Sequence, residues 1–202
     1  MEEIDPKLIQ TLRPEFSKEN IEELKAYFQF TEKYQEEMSE MFMEEFKAHP
    51  VFGSLLQMQS KEERLKRETI TRKLQYDAIY HNEWDAYTKD LILQGIAYAQ
   101  MGLTFSNWYE VIKVTKDYYK IFVLREYADS VIKAVSVLKG VNKLTDYTMH
   151  VITESYFIEK NKVISDQQKR QNELINELKA FNSELKKRYR QLEKMKDACK
   201  VL

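Results

Sequence analysis

Apolar residues recur along most of this chain at intervals of three and four, the spacing that gathers them on one face of an α-helix. Ser17 and Asn20 form a start signal for a helix over 18–29, with Ile21, Leu24 and Phe28 on its apolar face. A second stripe, made of Tyr34, Met38, Met41, Phe42 and Phe46, predicts a helix over 31–48. His49-Pro50 ends it, because the residue before a proline is steered away from helical dihedrals. Gly53 marks a short loop with Phe52, Leu55 and Leu56 as its buried residues. Ser60 followed by Glu63 is a capping-box pair, and the helix it opens carries Leu65, Ile70, Leu74, Ala78 and Ile79.

The pattern continues in the second half. Trp84, Tyr87, Leu91 and Tyr98 fall on one face of a helix over 84–101, which points all four inward. Thr104 to Asn107 reads as a cap, with Ser106 or Asn107 at the N-cap, and Trp108 to Tyr127 as a helix apolar around much of its circumference. Asp129 or Ser130 starts a shorter helix that stops at Gly140. After Lys143 there is no breaker, and Leu144, Tyr147, Val151, Ser155 and Ile158 carry the stripe into the tail. There Ile164, Leu178, Leu185, Leu192 and Cys199 keep a seven-residue register, with Gln171 between the first two. Leu174, Phe181 and Met195 follow on the companion seam, which Arg188 interrupts. A helix from 143 to 200 is about 85 Å long, more than a domain of this size buries, so its last ~35 residues are expected to pair with a second copy. The expected interface is Ile164, Leu174, Leu178, Phe181, Leu185, Leu192 and Met195. The predicted organisation is all-α, with a helical body over 1–159 and a coiled-coil helix over 160–202.

Composition narrows this picture. Of the 202 residues 43% are hydrophobic, enough for a core, and 32% are charged, as in helical proteins that face water. All three prolines precede residue 51, so nothing later forbids long helices. No apolar run approaches the roughly 20 residues a membrane span needs. The acidic start MEEIDPKL does not read as a secretory signal. The single Cys199 excludes an intramolecular disulfide and suits the reducing cytoplasm. From Lys160 onward 12 Lys and Arg face 6 Asp and Glu, while the rest of the chain is acidic. Because the tail's charges are mixed in sign and helically repeated, they read as the solvated face of a coiled coil and not as a nucleic-acid surface.

The segment EWDAYTKDLILQGIAYAQMGLTFSNWY, Glu83 to Tyr109, resembles the haem-binding stretch of bacterial globin-coupled sensors. In that family a proximal histidine stands four residues before a Gly-Leu, and a Trp-Tyr follows. Here Gly102-Leu103 and Trp108-Tyr109 are present, and Tyr98 occupies the histidine's position. FMEEFKAHPVFGSLL, Phe42 to Leu56, is similar to the family's first long core helix, and Glu62 to Tyr87 to the helix ahead of the proximal one. Where haem-binding members carry a Phe-Tyr pair whose tyrosine hydrogen-bonds bound oxygen, this chain has Phe42-Met43. The resemblance implies a globin-like sensor domain whose coiled coil drives a kinase, cyclase or chemotaxis output, and a chain that is one piece of a larger signalling protein.

Both groups that normally flank the iron are thus replaced, and no conventional haem is expected. Tyr98 has two readings. As a phenolate it could bind ferric haem, which needs a lowered pKa and a nearby Arg, and none lies between Arg72 and Arg125 in sequence. As a filler it needs only space and one hydrogen bond. If haem binds through an unusual ligand, His150 or His81 follows Tyr98 as a candidate, while His49 precedes Pro50 at a helix end. The candidate pocket comprises Tyr98, Met43, Phe42, Trp84, Tyr87, Leu91, Met101 and Trp108, and its methionines and aromatics suit an apolar ligand such as a lipid or tetrapyrrole. The same residues can equally be plain core, in a ligand-free helical scaffold. There is no HExxH or Glu-x-x-His pair, no Gly-rich phosphate loop and no nucleophile elbow, so no enzyme activity is expected. The expected partners are a second copy, through the C-terminal helix, and an output domain or partner protein.

Overall fold

The computed structural model describes residues 4–48, 52–53 and 60–199, without the side chains of 48 and 193–199. Leu55, Leu56 and His49 lie outside the described residues. The helices are α1 (Pro6–Leu12), α2 (Lys18–Ala48), α3 (Lys61–His81), α4 (Trp84–Gln100), α5 (Phe105–Glu126) and α6 (Val131–Cys199), and no strand occurs among the described residues. The fold is all-α. It divides into two compact units, residues 1–158 and 159–202. No described helix is long and apolar enough to cross a membrane.

In the first unit, local chemistry sets most helix ends. The Asp5 side chain accepts the Lys7 N–H at 2.9 Å ahead of Pro6, whose fixed φ suits a first turn. Ser60 and Glu63 form the capping box that their spacing predicts: Glu63 N–H donates to Ser60 Oγ at 3.1 Å and Ser60 N–H to Glu63 Oε2 at 2.8 Å. Asn82, in the left-handed region at φ 60°, stops α3 and turns the chain into α4 within two residues. The N-cap of α5 is Thr104, ahead of the predicted Ser106 or Asn107. Asn107 is instead the third helical residue, whose side chain reaches back to the Thr104 backbone N–H.

Three expectations need correction. The two helices expected over 18–29 and 31–48 are one, because nothing between Phe28 and Tyr34 breaks it; Phe30 and Thr31 are both buried, and Thr31 donates its hydroxyl to Phe28 O at 2.8 Å. Gly140 does not end a helix but lies within α6, so the separate short helix merges with the long one. Leu65, Ile70 and Ile158 are half exposed rather than core, and α5 leaves Tyr109, Ile121 and Leu124 outside.

Gly140 and Gly95 explain how α6 reaches the core. A Cβ on Gly140 would stand 2.2 Å from Glu23 O and 2.7 Å from Tyr27 Cβ, so α6 crosses α2 with its backbone against the backbone of Glu23. A Cβ on Gly95 would stand 2.0 Å from Ser155 Oγ and 2.6 Å from Ile152 O, so α6 crosses α4 equally closely. Around these crossings Leu24, Ile92, Val123, Val141, Val151 and Ile152 are completely buried, each side chain contributing about 1.5–3 kcal/mol of apolar burial. Trp84 packs edge-on against Phe16 and Tyr147, with ring centres 5.1 and 5.5 Å away.

Beside the Gly140 crossing, buried Glu23 holds α2 to α6, with Lys139 3.2 Å from Oε1 and Lys143 3.2 Å from Oε2. Burial works to raise its pKa, but the hydrogen bonds and charges of both lysines outweigh burial and hold the carboxyl below its usual range.

Gly95→Ala and Gly140→Ala are each expected to lower unfolding free energy by about 1–3 kcal/mol or more through overpacking. Gly102→Ala, at φ +74° with nothing within 4 Å, should lose only about 1–2 kcal/mol of stability, through the backbone strain that a Cβ introduces there. Urea unfolding of the three variants checks the order. A depressed folded pKa makes the Glu23 contribution present above the unfolded carboxyl pKa and lost as pH falls through the folded value. Glu23→Gln should therefore lower the melting temperature at neutral pH, and the gap to the parent should close on acidification.

Candidate functional site

The inward face of α4 is made as its spacing predicts, but it is filled. Trp84, Tyr87 and Leu91 are each at most 2% exposed. Tyr87 accepts from Gln75 Nε2 at 3.1 Å and shares a hydrogen bond with Thr148 at 3.2 Å. Thr88 donates to Trp84 O at 2.7 Å and meets the Tyr147 hydroxyl at 2.5 Å. This is packed interior with satisfied hydroxyls, and Trp84, Tyr87 and Leu91 line neither of the spaces described next.

One more turn along α4, the Tyr98 ring lies 5.0 Å from the Trp108 ring. These two, with Leu103, Ile152 and Tyr156, surround a space of about 10 Å³, no more than one water occupies. Tyr156 donates to Leu103 O at 2.8 Å and fixes the α4–α5 turn against α6. The Tyr98 hydroxyl has no hydrogen-bond partner among the described residues, and the Trp108 indole N–H is buried without one. Burial pushes the Tyr98 pKa up; the Arg67 guanidinium works against this and Asp90 with it. The arginine absent from the neighbouring sequence thus comes from α3, where Arg67 stands 3.8 Å from Asp90. The net direction is still away from a phenolate. Space and chemistry at Tyr98 therefore do not fit a haem. Met101 is 60% exposed and lines neither space.

Phe42 and Met43 belong elsewhere. They line a cleft of about 280 Å³ between α2, α3 and α5, together with Tyr27, Thr31, Gln35, Met38, Ser39, Phe46, Glu68, Thr71, Arg72, Gln75 and Tyr119. Ser39 donates to Glu68 Oε1 at 3.1 Å, and the hydroxyls of Tyr27 and Tyr119 are 3.2 Å apart. The eight residues expected to form one pocket are thus divided among packed core (Trp84, Tyr87, Leu91), a water-sized space (Tyr98, Trp108), an amphipathic cleft (Phe42, Met43) and the surface (Met101). Sequence reasoning missed Arg72, Glu68 and the Tyr27–Tyr119 pair. The available signal was the polar run Glu68, Thr71, Arg72, Gln75 at helical spacing on one face of α3.

Neither described histidine lines the space at Tyr98. His81 sits exposed at the end of α3 with its ring 5.5 Å from that of Tyr76. His150 is exposed and lines a separate groove between α5 and α6 with Tyr109, Ile112 and Met149. No group of three His, Cys, Asp or Glu able to hold a metal occurs among the described residues.

The second unit, residues 159–202, is helical through Cys199, and its large apolar side chains are exposed in the single chain. Ile164 is 49% exposed, Leu174 58%, Leu178 60%, Phe181 61%, Leu185 47% and Leu192 64%. Arg188, on the same seam, pairs with Glu184 one turn earlier at 2.6 Å. The Met195 side chain lies outside the described residues. No family model, curated protein or solved structure matches this chain.

Tyr98→Phe should leave stability within about 0.5 kcal/mol, since the hydroxyl it removes makes no hydrogen bond among the described residues. Tyr87→Phe strands Gln75 and Thr148 and should cost about 1–3 kcal/mol. Chemical denaturation of the two variants tests the contrast.

Proposed function

We propose that this chain is a regulatory module of a signalling protein: residues 1–158 a globin-like sensory body, and residues 159–202 one strand of a parallel homodimeric coiled coil that works on an output domain or partner protein. The observation that carries this reading is the exposed seam Leu174, Leu178, Phe181, Leu185 and Leu192 on a helix whose remaining residues are mostly charged or polar. Exposed apolar side chains in heptad register are matched by an identical seam on a second copy. Each leucine so covered contributes about 1.5–3 kcal/mol. Arg188, which carries its charge into that seam, makes it locally weak and a place where register can change. The reading includes a cytoplasmic setting, in keeping with a single cysteine, and no catalysis within these residues.

The body in this reading has left haem chemistry. Its support is the filled interior around Trp84 and Tyr87, the water-sized space at Tyr98 and the raised pKa of that phenol. A ferrous oxygen site uses a neutral imidazole, and neither His81 nor His150 lines that space.

Sedimentation tests the coil: the full chain is expected to be a dimer, and truncation after Lys160 should weaken association strongly. A truncated chain as dimeric as the whole would place the interface in the body instead. Absorption tests the body. The purified protein should show no stoichiometric Soret band, and a full band abolished by Tyr98→Phe would make Tyr98 an axial ligand.

A further inference from the structure

The cleft between α2, α3 and α5 combines an apolar wall with a cation that has no ion-pair partner among the described residues. Arg72 is half-buried on α3 with its guanidinium carbon 5.3 Å above the Phe28 ring. It makes no hydrogen bond or ion pair among the described residues. An arginine held over an aromatic face keeps its in-plane N–H groups available, and these match the two oxygens of a carboxylate. A partly desolvated cation without a counter-ion is costly in a chain that carries 33 acidic residues.

A second donor stands beside it. The Tyr27 and Tyr119 hydroxyls are 3.2 Å apart, and both feel the Arg72 charge. Only one proton can lie between them, so whichever hydroxyl accepts keeps its own O–H to donate outward. Burial raises both phenol pKa values and keeps both protons in place at neutral pH. On the opposite side Met38, Phe42, Met43 and Phe46 supply soft, adaptable apolar surface.

Glu68, one turn before Arg72 on α3, also lines the cleft and accepts from Ser39. Its carboxylate repels a second negative charge, so the space suits a monoanion over a dicarboxylate. At about 280 Å³ it falls just under the roughly 300–1,000 Å³ of small-molecule sites, which favours a medium-length chain over a tetrapyrrole.

We propose that this cleft binds a medium-chain fatty acid, with the carboxylate on Arg72 and the Tyr27–Tyr119 pair and the acyl chain along the Met38–Phe46 wall of α2. This deepens the sensory reading of residues 1–158 by naming the chemistry sensed, while binding itself does not require the coiled coil.

Calorimetric titration of the full chain with decanoate, decanol and sebacate tests the proposal. Saturable binding of one decanoate per chain is expected, with decanol and sebacate at least tenfold weaker. Shortening the acid should weaken binding about fourfold per methylene removed. Arg72→Gln should weaken decanoate at least tenfold at unchanged helicity, and Arg72→Lys should restore part of the loss. Decanol binding as tightly as decanoate, uptake that never saturates, or an unaffected Arg72→Gln overturns it. If Arg72→Gln does not melt cooperatively, Met43→Trp, which fills the cleft from α2, decides: undiminished decanoate binding there overturns the proposal as well. A chain that remains dimeric but takes up no decanoate refutes the fatty-acid site alone. A chain that binds decanoate as a monomer refutes the coiled coil and leaves the site standing.

Discussion

The first unit depends on two places where a backbone is allowed to touch what lies across from it. At Gly140 and Gly95 the missing Cβ lets α6 approach α2 and α4 within a distance no side chain tolerates. With α6 seated there, Val137, Val141, Leu144 and Val151 reach the interior, and Tyr147 arrives beside Trp84 and Thr88. Glycine inside a helix costs roughly 0.5–1 kcal/mol relative to alanine, and the apolar burial around each crossing exceeds that several-fold. The Glu23 clamp to Lys139 and Lys143 brackets Gly140 on the α6 side and adds a charge-based lock to a contact that shape alone already favours.

The same crossings show why the sequence was readable in some places and opaque in others. Helix ends written in short-range chemistry, such as Ser60 with Glu63, were legible because the interacting groups lie three residues apart. Gly140 misled because a glycine after an apolar run is also the usual helix stop. Which role it plays depends on a residue in α2 more than a hundred positions earlier. The same holds for Leu65 and Ile70, which have helical spacing but stay half exposed.

Periodicity identified the inward face of α4 correctly and could not say what fills the space opposite it. Tyr98 and Met43 were grouped by a family resemblance, yet one rests against Trp108 and the other lines a cleft bounded by α3 and α5. The polar residues of that cleft escaped notice because Glu68, Thr71, Arg72 and Gln75 look like the outer face of an ordinary charged helix. Their inward placement follows from where α2 lies, a tertiary fact. The heptads of residues 159–202 stand at the other extreme, since the seam is written entirely in local sequence and the helix leaves it exposed.

Both tryptophans of the chain, Trp84 and Trp108, belong to the first unit, and the second has none. Indole emission therefore follows the body alone, whereas the far-ultraviolet helix signal sums over both units. Trp84 lies among tightly held rings and Trp108 beside a small space, its N–H without a partner among the described residues, so the two indoles start from different surroundings. Comparing emission with helicity during one unfolding experiment separates the melting of the body from that of the terminal helix, without any added label.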